Sequence, residues 1–203
     1  MIDPGEIKEL QERLTVSDDQ VAYVRLYRLY FSPLLRFAIS FVKSDPVAEE
    51  IVSDVFLHIW EIRRKLNTIR QMTVYLYTCV RNQCLNHLNK QKRQMTLLLD
   101  EDSLHIAGSL ADPEEYVITS QLIRGIDQAV RQLPPRCQII FRLVREEGLR
   151  YKEVAGILDI SVKTVEVQIG IAMKNLSIAI QPYTGEQKSS SFSRSLQKNN
   201  KSL

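Results

Sequence analysis

The side chains best suited to covalent or metal chemistry are few and scattered along the chain. They are three histidines and three cysteines: His58, His87, His105, Cys79, Cys84 and Cys137. Their spacing matches no metal-ligand pattern, and the chain has neither a nucleophile elbow nor a glycine-rich phosphate loop. An enzyme or a metal sensor is therefore the least favoured class, and we expect no cofactor, no metal and no small-molecule substrate.

Carboxylates are concentrated in the segment from Asp45 to Asp54, which has four acids and no base. On a helix, the side chains of Glu50, Asp54, His58 and Glu61 share one face. An apolar stripe lies on another face, with Trp60 at its edge: Val52, Val55, Phe56 and Ile59. Two interpretations remain open: a solvated surface, or a dock for a basic partner.

The next segment, residues 62–93, reverses the charge, with eight bases and no acid. It contains a predicted helix from Met72 to about Gln91, whose buried side comprises Tyr77, Val80, Cys84 and Leu88. Its opposite side carries amides at helical spacing and ends in a base: Asn82, Asn86, Asn89 and Arg93. Asparagine is a poor helix former, but its amide can donate to and accept from the edges of nucleobases. Arginine and lysine side chains can hold the phosphates. This pattern favours a nucleic-acid-binding helix over a merely polar surface.

Towards the C-terminus, two short helical periods are divided by a turn, in LRYKEVAGILDISVKTVEVQIGIAMKNL. Their apolar positions are Val154, Ala155 and Leu158, followed by Val162, Val165 and Ile169. Asp159 suits the turn and Ser161 suits the cap of the second helix. This pattern is typical of a helix-turn-helix, whose second helix enters the major groove of DNA. Lys163, Thr164, Glu166 and Gln168 are the candidate contacts, although two packed helices of any kind can imitate the pattern.

The composition is that of a soluble folded protein: 203 residues, 44% hydrophobic, 25% charged, with a net charge of +3. The N-terminus shows no signal-peptide pattern, and no apolar run is long enough to cross a bilayer. The odd number of cysteines indicates reduced thiols, and we therefore expect a cytoplasmic protein. Scarce glycine and few β-branched runs favour helix.

The predicted fold is all-α, with two small helical domains joined by an acidic linker. The first domain spans residues 20–93 and contains a helix over 21–43 that Pro33 is expected to kink or divide. The linker spans 94–116 and has six acids and no base. The second domain spans 117–180, with a helix that starts at Pro135 and ends near Gly148. The serine-rich segment 181–203 is predicted to be a disordered tail.

Both domains resemble regions of the bacterial RNA polymerase sigma factors of the extracytoplasmic-function (ECF) subfamily. The similarity spans about residues 20 to 178. Region 2.2 is similar to DPVAEEIVSDVFLHIW, and the end of region 2.3 running into 2.4 is similar to VYLYTCVRNQCLNHL. Region 4 is similar to LPPRCQIIFRLVREEGLRYKEVAGILDISVKTVEVQIGIAMKNL. The chain departs from the family at Tyr75, where tryptophan is usual, and at Val167 and Ile171, where polar or basic residues are common.

The resemblance implies three contact surfaces. Glu49, Glu50 and Asp54 would meet the coiled coil of the polymerase β′ subunit. The amide helix and the loop from Asn67 to Thr73 would read and open the −10 element, through Asn67, Arg70, Arg81, Asn82, Asn86 and Lys90. The second domain would read the −35 element and grip the β flap, with DNA contacts from Lys152, Ser161, Lys163, Thr164, Glu166 and Gln168. The linker would thread the polymerase cleft near the RNA path.

The sequence therefore predicts a promoter-specificity subunit that does no covalent chemistry. Its predicted partners are core RNA polymerase, promoter DNA and an anti-sigma factor. The alternative is a stand-alone helix-turn-helix regulator that binds duplex DNA by itself. That alternative explains the second domain but gives no role to the acidic segment or the amide helix.

Overall fold

The computed structural model describes residues 3–98, 126 and 128–184. Every regular element within these ranges is a helix, so the predicted all-α class is confirmed. The chain divides into two compact units, Met1–Asp112 and Pro113–Leu203. Both units contain fully buried apolar side chains, as a small domain with its own core requires. In the part of the chain that the structure describes, no helix is both long and apolar enough to cross a membrane.

The first unit is a bundle of helices around α2. Its elements are α1 (Pro4–Ser17), α2 (Gln20–Val42), α3 (Asp45–Glu61), a 3₁₀ helix (Arg63–Thr68) and α4 (Met72–Leu98). α2 packs against α1, α3 and α4, and α1 packs against the 3₁₀ helix. The largest fully buried side chains of this core are Leu26, Tyr30, Phe56, Leu76 and Tyr77.

α1 lies ahead of residue 20, where the predicted first domain begins. Asp3 caps this helix by accepting from the backbone N–H of Gly5 at 3.1 Å. Pro4 follows as the first helical residue, where a missing N–H costs no hydrogen bond. The buried apolar side chains of α1 recur at helical spacing: Ile7, Leu10 and Leu14. α1 is therefore part of the first unit.

Pro33 was predicted to kink or divide this helix, and because α2 continues through it, a division is wrong. Proline in a helix removes one backbone hydrogen bond and crowds the preceding turn, at a cost of about 3 kcal/mol. Buried side chains continue on both sides of it, at Tyr30, Leu34 and Phe37. Because each large apolar side chain contributes about 1.5–3 kcal/mol on burial, tertiary packing offsets the local cost.

The turn between α1 and α2 is tied to the 3₁₀ helix by charge. Asp18 adopts the left-handed conformation, with φ 50°, and accepts from Arg63 Nε at 2.7 Å and from Arg64 Nη2 at 3.1 Å. These hydrogen bonds, that of Arg64 foremost, hold the pKa of Asp18 below its usual value. The Arg63 guanidinium also lies 4.5 Å from the centre of the Trp60 ring. The start of the 3₁₀ helix is thus anchored on two sides.

The second unit consists of short helices packed on one long helix. Residues 128–131 are helical, and α5 (Pro135–Arg145), α6 (Tyr151–Leu158) and α7 (Val162–Thr184) follow. α5 starts at Pro135 as predicted, and Gly148, with φ 70°, makes the left-handed turn after it. α7 packs against both α5 and α6. One cluster of this core comprises Ala129, Val130, Leu133, Cys137, Ala172 and Leu176.

Three details of the predicted apolar faces differ in the structure. Ile157 is fully buried on α6, whereas Leu158 is only half-buried. Val162, the first residue of α7, is 40% exposed, and the buried face of this helix starts at Val165. On α4, Leu88 is half-buried.

The ends of α4 and α7 extend past the predicted domain limits. α4 reaches Leu98 and α7 reaches Thr184, so the first residues assigned to the linker and to the tail are helical. The remaining linker, residues 99–116, and the remaining tail, residues 185–203, lie outside the described residues.

Candidate functional site

α3 presents an acidic face, which we define as Glu49, Glu50 and Asp54, all of them exposed. The other side of the helix holds it in place, because Val52, Val55, Phe56 and Ile59 are buried. Leu57, 61% exposed, lies on the same side as Glu50 and Asp54. The arrangement joins negative charge to an apolar side chain, and such a surface suits a basic protein partner with an apolar centre.

An aromatic cluster on α2 and α3 supports the acidic face. The Tyr27 ring lies 4.7 Å from the Phe56 ring and stacks on Phe31 at 4.7 Å. Burial, together with the nearby Glu49 carboxylate, raises the pKa of Tyr27. Further along α3, His58 Nε2 lies 3.3 Å from the hydroxyl of Tyr75. This contact links the C-terminal part of α3 to α4.

α4 presents an amide face, which we define as Asn82, Asn86 and Asn89, all exposed, and it continues to the exposed Arg93. Tyr77, Val80 and Cys84 are buried on the opposite side, as predicted. Lys90 is also exposed, next to the face rather than on it. The structure thus brings the predicted amides together at the surface.

Arg81 differs from the other candidate bases because it is half-buried. Its Nη1 donates to Asn82 Oδ1 at 3.4 Å. This contact uses the carbonyl oxygen of the Asn82 amide, and the NH₂ group is its donor. An exposed NH₂ group of this kind can donate to acceptors such as the carbonyl oxygens and ring nitrogens of unpaired nucleobases.

Asn67 lies in the last turn of the 3₁₀ helix and Arg70 in the loop between that helix and α4, and both are exposed. Hydrogen bonds hold this segment at both ends. Gln11 Nε2 on α1 donates to the carbonyl of Leu66 at 2.8 Å and to that of Ile69 at 3.0 Å. At the far end, the hydroxyls of Thr73 and Tyr30 lie 2.6 Å apart.

Sequence reasoning did not single out Gln11, although it is 93% buried. Its position on the apolar stripe of α1, between Leu10 and Leu14, was the available signal.

α6 and α7 form the predicted helix-turn-helix. Asp159 makes the turn in the left-handed conformation, with φ 55°. Ser161 caps α7: its hydroxyl accepts from the backbone N–H of Thr164 at 3.0 Å and lies 2.8 Å from the Thr164 hydroxyl. Small, buried Ala155 and fully buried Val165 lie on the packed sides of the two helices. The predicted cap and turn are confirmed, and Val165 and Ile169 of the predicted apolar side are buried, whereas Val162 is exposed.

The candidate DNA contacts in this unit differ in how free they are. Lys163 is exposed, but its Nζ lies 3.2 Å from Glu166 Oε2. Gln168 is half-buried, and its backbone carbonyl accepts from Cys137 Sγ at 3.1 Å. Lys152 is exposed at the start of α6. The exposed first turns of α7 therefore offer a hydroxyl cluster and an ion pair instead of a row of free bases.

Burial affects the thiols of all three cysteines, which lie within the described residues. Burial raises the pKa of Cys84 to about 12 and also raises the pKa of Cys79 and Cys137. A thiol whose pKa is about 12, as for Cys84, stays protonated at neutral pH and is a poor nucleophile. Within residues 3–98 and 128–184, no group of histidines, cysteines and carboxylates is placed to hold a metal ion. His105 lies outside the described residues.

Comparison with known proteins identifies both units. Residues 26–94 match the family model for Sigma-70 region 2, and residues 123–176 match that for Sigma-70 region 4. The chain is 23% identical over 193 residues to the RNA polymerase sigma-H factor of Pseudomonas aeruginosa, covering 92% of this chain and 100% of that protein. It is 23% identical over 171 residues to the ECF RNA polymerase sigma-E factor of Escherichia coli K12, covering 81% of this chain and 89% of that protein.

Solved structures show the same fold. The sigma factor RpoE of Bartonella quintana, crystallised with the anti-sigma factor NepR, aligns with a TM-score of 0.58 and 20% identity, over 78% of this chain and 96% of that one. CnrH, in complex with the cytosolic domain of CnrY, aligns with a TM-score of 0.51 and 19% identity, over 87% of this chain and 98% of that one. This chain belongs to the sigma-70 family, within its extracytoplasmic-function subfamily.

Proposed function

We propose that this protein is the promoter-specificity subunit of a bacterial RNA polymerase. It binds the core enzyme and directs initiation by recognising −10 and −35 DNA elements. The observation that carries this proposal is the match to regions 2 and 4 in one chain and in that order. In this assignment residues 20–93 together with α1 act as region 2, residues 94–116 as the linker, and residues 117–180 as region 4.

The acidic face is the proposed dock for the coiled coil of the polymerase β′ subunit. Its three carboxylates are exposed and lie on a helix whose other side is fully packed. Complementary charge speeds encounter and fixes register, whereas desolvated apolar contacts hold the complex. Leu57 supplies such a contact beside Glu50 and Asp54.

The rest of region 4 would contact the β flap.

The amide face and the Arg70 loop are the proposed −10 reader. Asn82 and Asn86 offer hydrogen bonds to nucleobases that have left the stack. The proposed contacts to the DNA strand also include four other polar or basic side chains: Asn67, Arg70, Arg81 and Lys90. Unstacking costs a few kcal/mol per base, and binding of the exposed base offsets it. The protein therefore needs no nucleotide hydrolysis and performs no covalent step of its own.

α7 is the proposed −35 reader. The second helix of a helix-turn-helix lies in the major groove with its N-terminal residues at the base edges. Ser161, Thr164, Glu166 and Gln168 occupy these first turns, with Lys163 beside them. Lys152, at the start of α6, is placed to contact the phosphate backbone.

An anti-sigma factor is the proposed regulatory partner, and the cytoplasm is the proposed location. A sigma factor with the same fold, RpoE of Bartonella quintana, was crystallised with such a partner, the anti-sigma factor NepR. A protein that works on core polymerase and chromosomal DNA must share their compartment.

The test is whether DNA binding requires core polymerase. Promoter fragments should be footprinted with the protein alone, with core enzyme alone and with both together. We expect protection of the −10 and −35 regions only when both are present. A footprint given by the protein alone, unchanged by core enzyme, would instead support the stand-alone regulator.

A further inference from the structure

The solvent-exposed side of α7 carries aliphatic side chains in addition to polar ones. Val165, Ile169, Ala172 and Leu176 are buried and form the side that packs on the rest of the unit. On the opposite side, Val167 is 50% exposed and Ile171 is 38% exposed. Because the core of this unit is complete without them, these two side chains are free to contact a ligand.

Val167 and Ile171 lie on the same side of α7 as Lys163. The three residues are spaced four apart, so they follow one another along one helical face. Gly170 lies beside them, and a Cβ built there would meet no atom within 4 Å. This part of the helix therefore presents two aliphatic side chains beside a glycine. Because the glycine has no side chain, a DNA backbone or nucleobase can approach the helix closely there.

We propose that Val167 and Ile171 read the methyl groups of thymines in the −35 element, an inference that rests on the proposed function of α7. In the major groove the thymine C5-methyl is the apolar group of the base edges, and aliphatic side chains recognise it by contact. Val167 is the sixth residue of α7, about 7.5 Å along the axis from Val162, within the turns that meet the bases. Ile171 follows one turn later.

Position and charge favour DNA as the occupant of this face. Lys163 precedes the pair and Lys174 follows it. Both lysines are exposed, so this face has a positively charged side chain at each end. The pair continues the row of side chains proposed to meet the base edges. The surface area of two aliphatic side chains is also far smaller than the roughly 1,000 Å² that a stable protein interface buries.

Ile178 provides a matched control on the same helix. It is 56% exposed and lies on the same side of α7 as Val167. It is eleven residues further along, about 16 Å, which places it beyond the turns that enter the groove. The proposal therefore assigns thymine contacts to Val167 and Ile171 and none to Ile178.

The first experiment selects DNA with the assembled holoenzyme. A promoter library with a randomised −35 region is bound to core polymerase carrying the full-length protein, and the bound DNA is sequenced. We expect a preferred −35 element that contains thymines. Failure to enrich any −35 sequence would count against −35 reading itself, whereas an enriched element that lacks thymine would overturn only the methyl contact.

The second experiment removes single methyl groups. Each thymine of the selected element is replaced by deoxyuridine, which keeps every hydrogen-bonding group and lacks only the C5-methyl. We expect wild-type holoenzyme to lose about fourfold in affinity for each contacted methyl. Val167→Ala and Ile171→Ala should each abolish this loss at one thymine, while Ile178→Ala should retain the full wild-type loss.

Two results of the deoxyuridine experiment would overturn the proposal. One is equal affinity of wild-type holoenzyme for thymine and deoxyuridine at every position. The other is an unchanged thymine-to-deoxyuridine ratio in both Val167→Ala and Ile171→Ala. If these variants instead weaken assembly with core polymerase, the face contacts the polymerase and the methyl contact is likewise overturned.

Discussion

The buried amide of Gln11 donates to the carbonyl of Leu66 at 2.8 Å and so joins α1 to the segment that leads into the Arg70 loop. A second donation, to the carbonyl of Ile69 at 3.0 Å, comes from the same nitrogen. The region 2 match covers residues 26–94 and does not include α1. Even so, α1 holds a segment that lies within the matched residues.

Replacing Gln11 by leucine should lower the free energy of unfolding of the first unit by about 1–3 kcal/mol, because buried carbonyls lose their donor. Urea unfolding followed by Trp60 fluorescence measures this, since Trp60 is the single tryptophan. The exposed Gln91 on α4 gives a control, and Gln91→Leu should change the value by no more than about 0.5 kcal/mol. Equal effects of the two substitutions would show that the hydrogen bonds contribute nothing.

Charge reversal on the acidic face should weaken assembly with core polymerase. The variant Glu50→Lys with Asp54→Lys places positive charge against the proposed basic coiled coil, and like charges at an interface cost several kcal/mol. We expect the dissociation constant to rise at least tenfold in a pull-down or fluorescence titration. Glu9→Lys with Glu12→Lys makes the same change of charge on α1 and should assemble normally. Normal assembly of the α3 variant would argue that this face is only solvated.

Asn82→Ala should impair promoter opening more than promoter binding. The side chain is proposed to hold a base that has already left the stack, so its loss affects the open complex and leaves the closed complex intact. Permanganate reactivity of −10 thymines measures opening, and gel shift at low temperature measures closed-complex binding. Gln91→Ala, which removes an exposed amide of α4 that does not belong to the amide face, serves as control. Parallel loss of both signals in Asn82→Ala would indicate a structural role.

Lys163→Ala should reduce affinity for the preferred −35 element by about 1–3 kcal/mol, in a way confined to one base pair. Its early position in α7 favours a base contact, and the ion pair with Glu166 at 3.2 Å orients it along the helix. A salt titration on −35 variants distinguishes this role from phosphate binding, which would lower the slope of log affinity against log salt by about one. No change on any promoter would mean that the first turns of α7 do not read DNA.

The periodic and capped elements were predictable from the sequence. α3 and α4 were recognised from apolar stripes and runs of one charge, and the α6–α7 pair was recognised from the Asp159 turn and the Ser161 cap. These signals are local: a cap and a stripe depend on residues within one or two turns.

Features that depend on distant contacts were not predictable in the same way. α2 passes through Pro33 because Tyr30, Leu34 and Phe37 are buried by other helices, which propensity does not record. Gln11 is polar and was not singled out, because its partners lie 55 and 58 residues away. The exposure of Val167 and Ile171 also required the structure, since an aliphatic residue in a helix is normally assigned to the core.

The most direct test of sigma-factor function is transcription from genomic DNA fragments by core polymerase, with and without this protein. Mapping of transcript 5′ ends is the measurement. We expect a new set of start sites that appears only with the protein and shares one −10 and one −35 element at a fixed spacing, and that disappears with Glu50→Lys/Asp54→Lys. Start sites that are the same with and without the protein, or new ones that share no upstream element, would contradict the account.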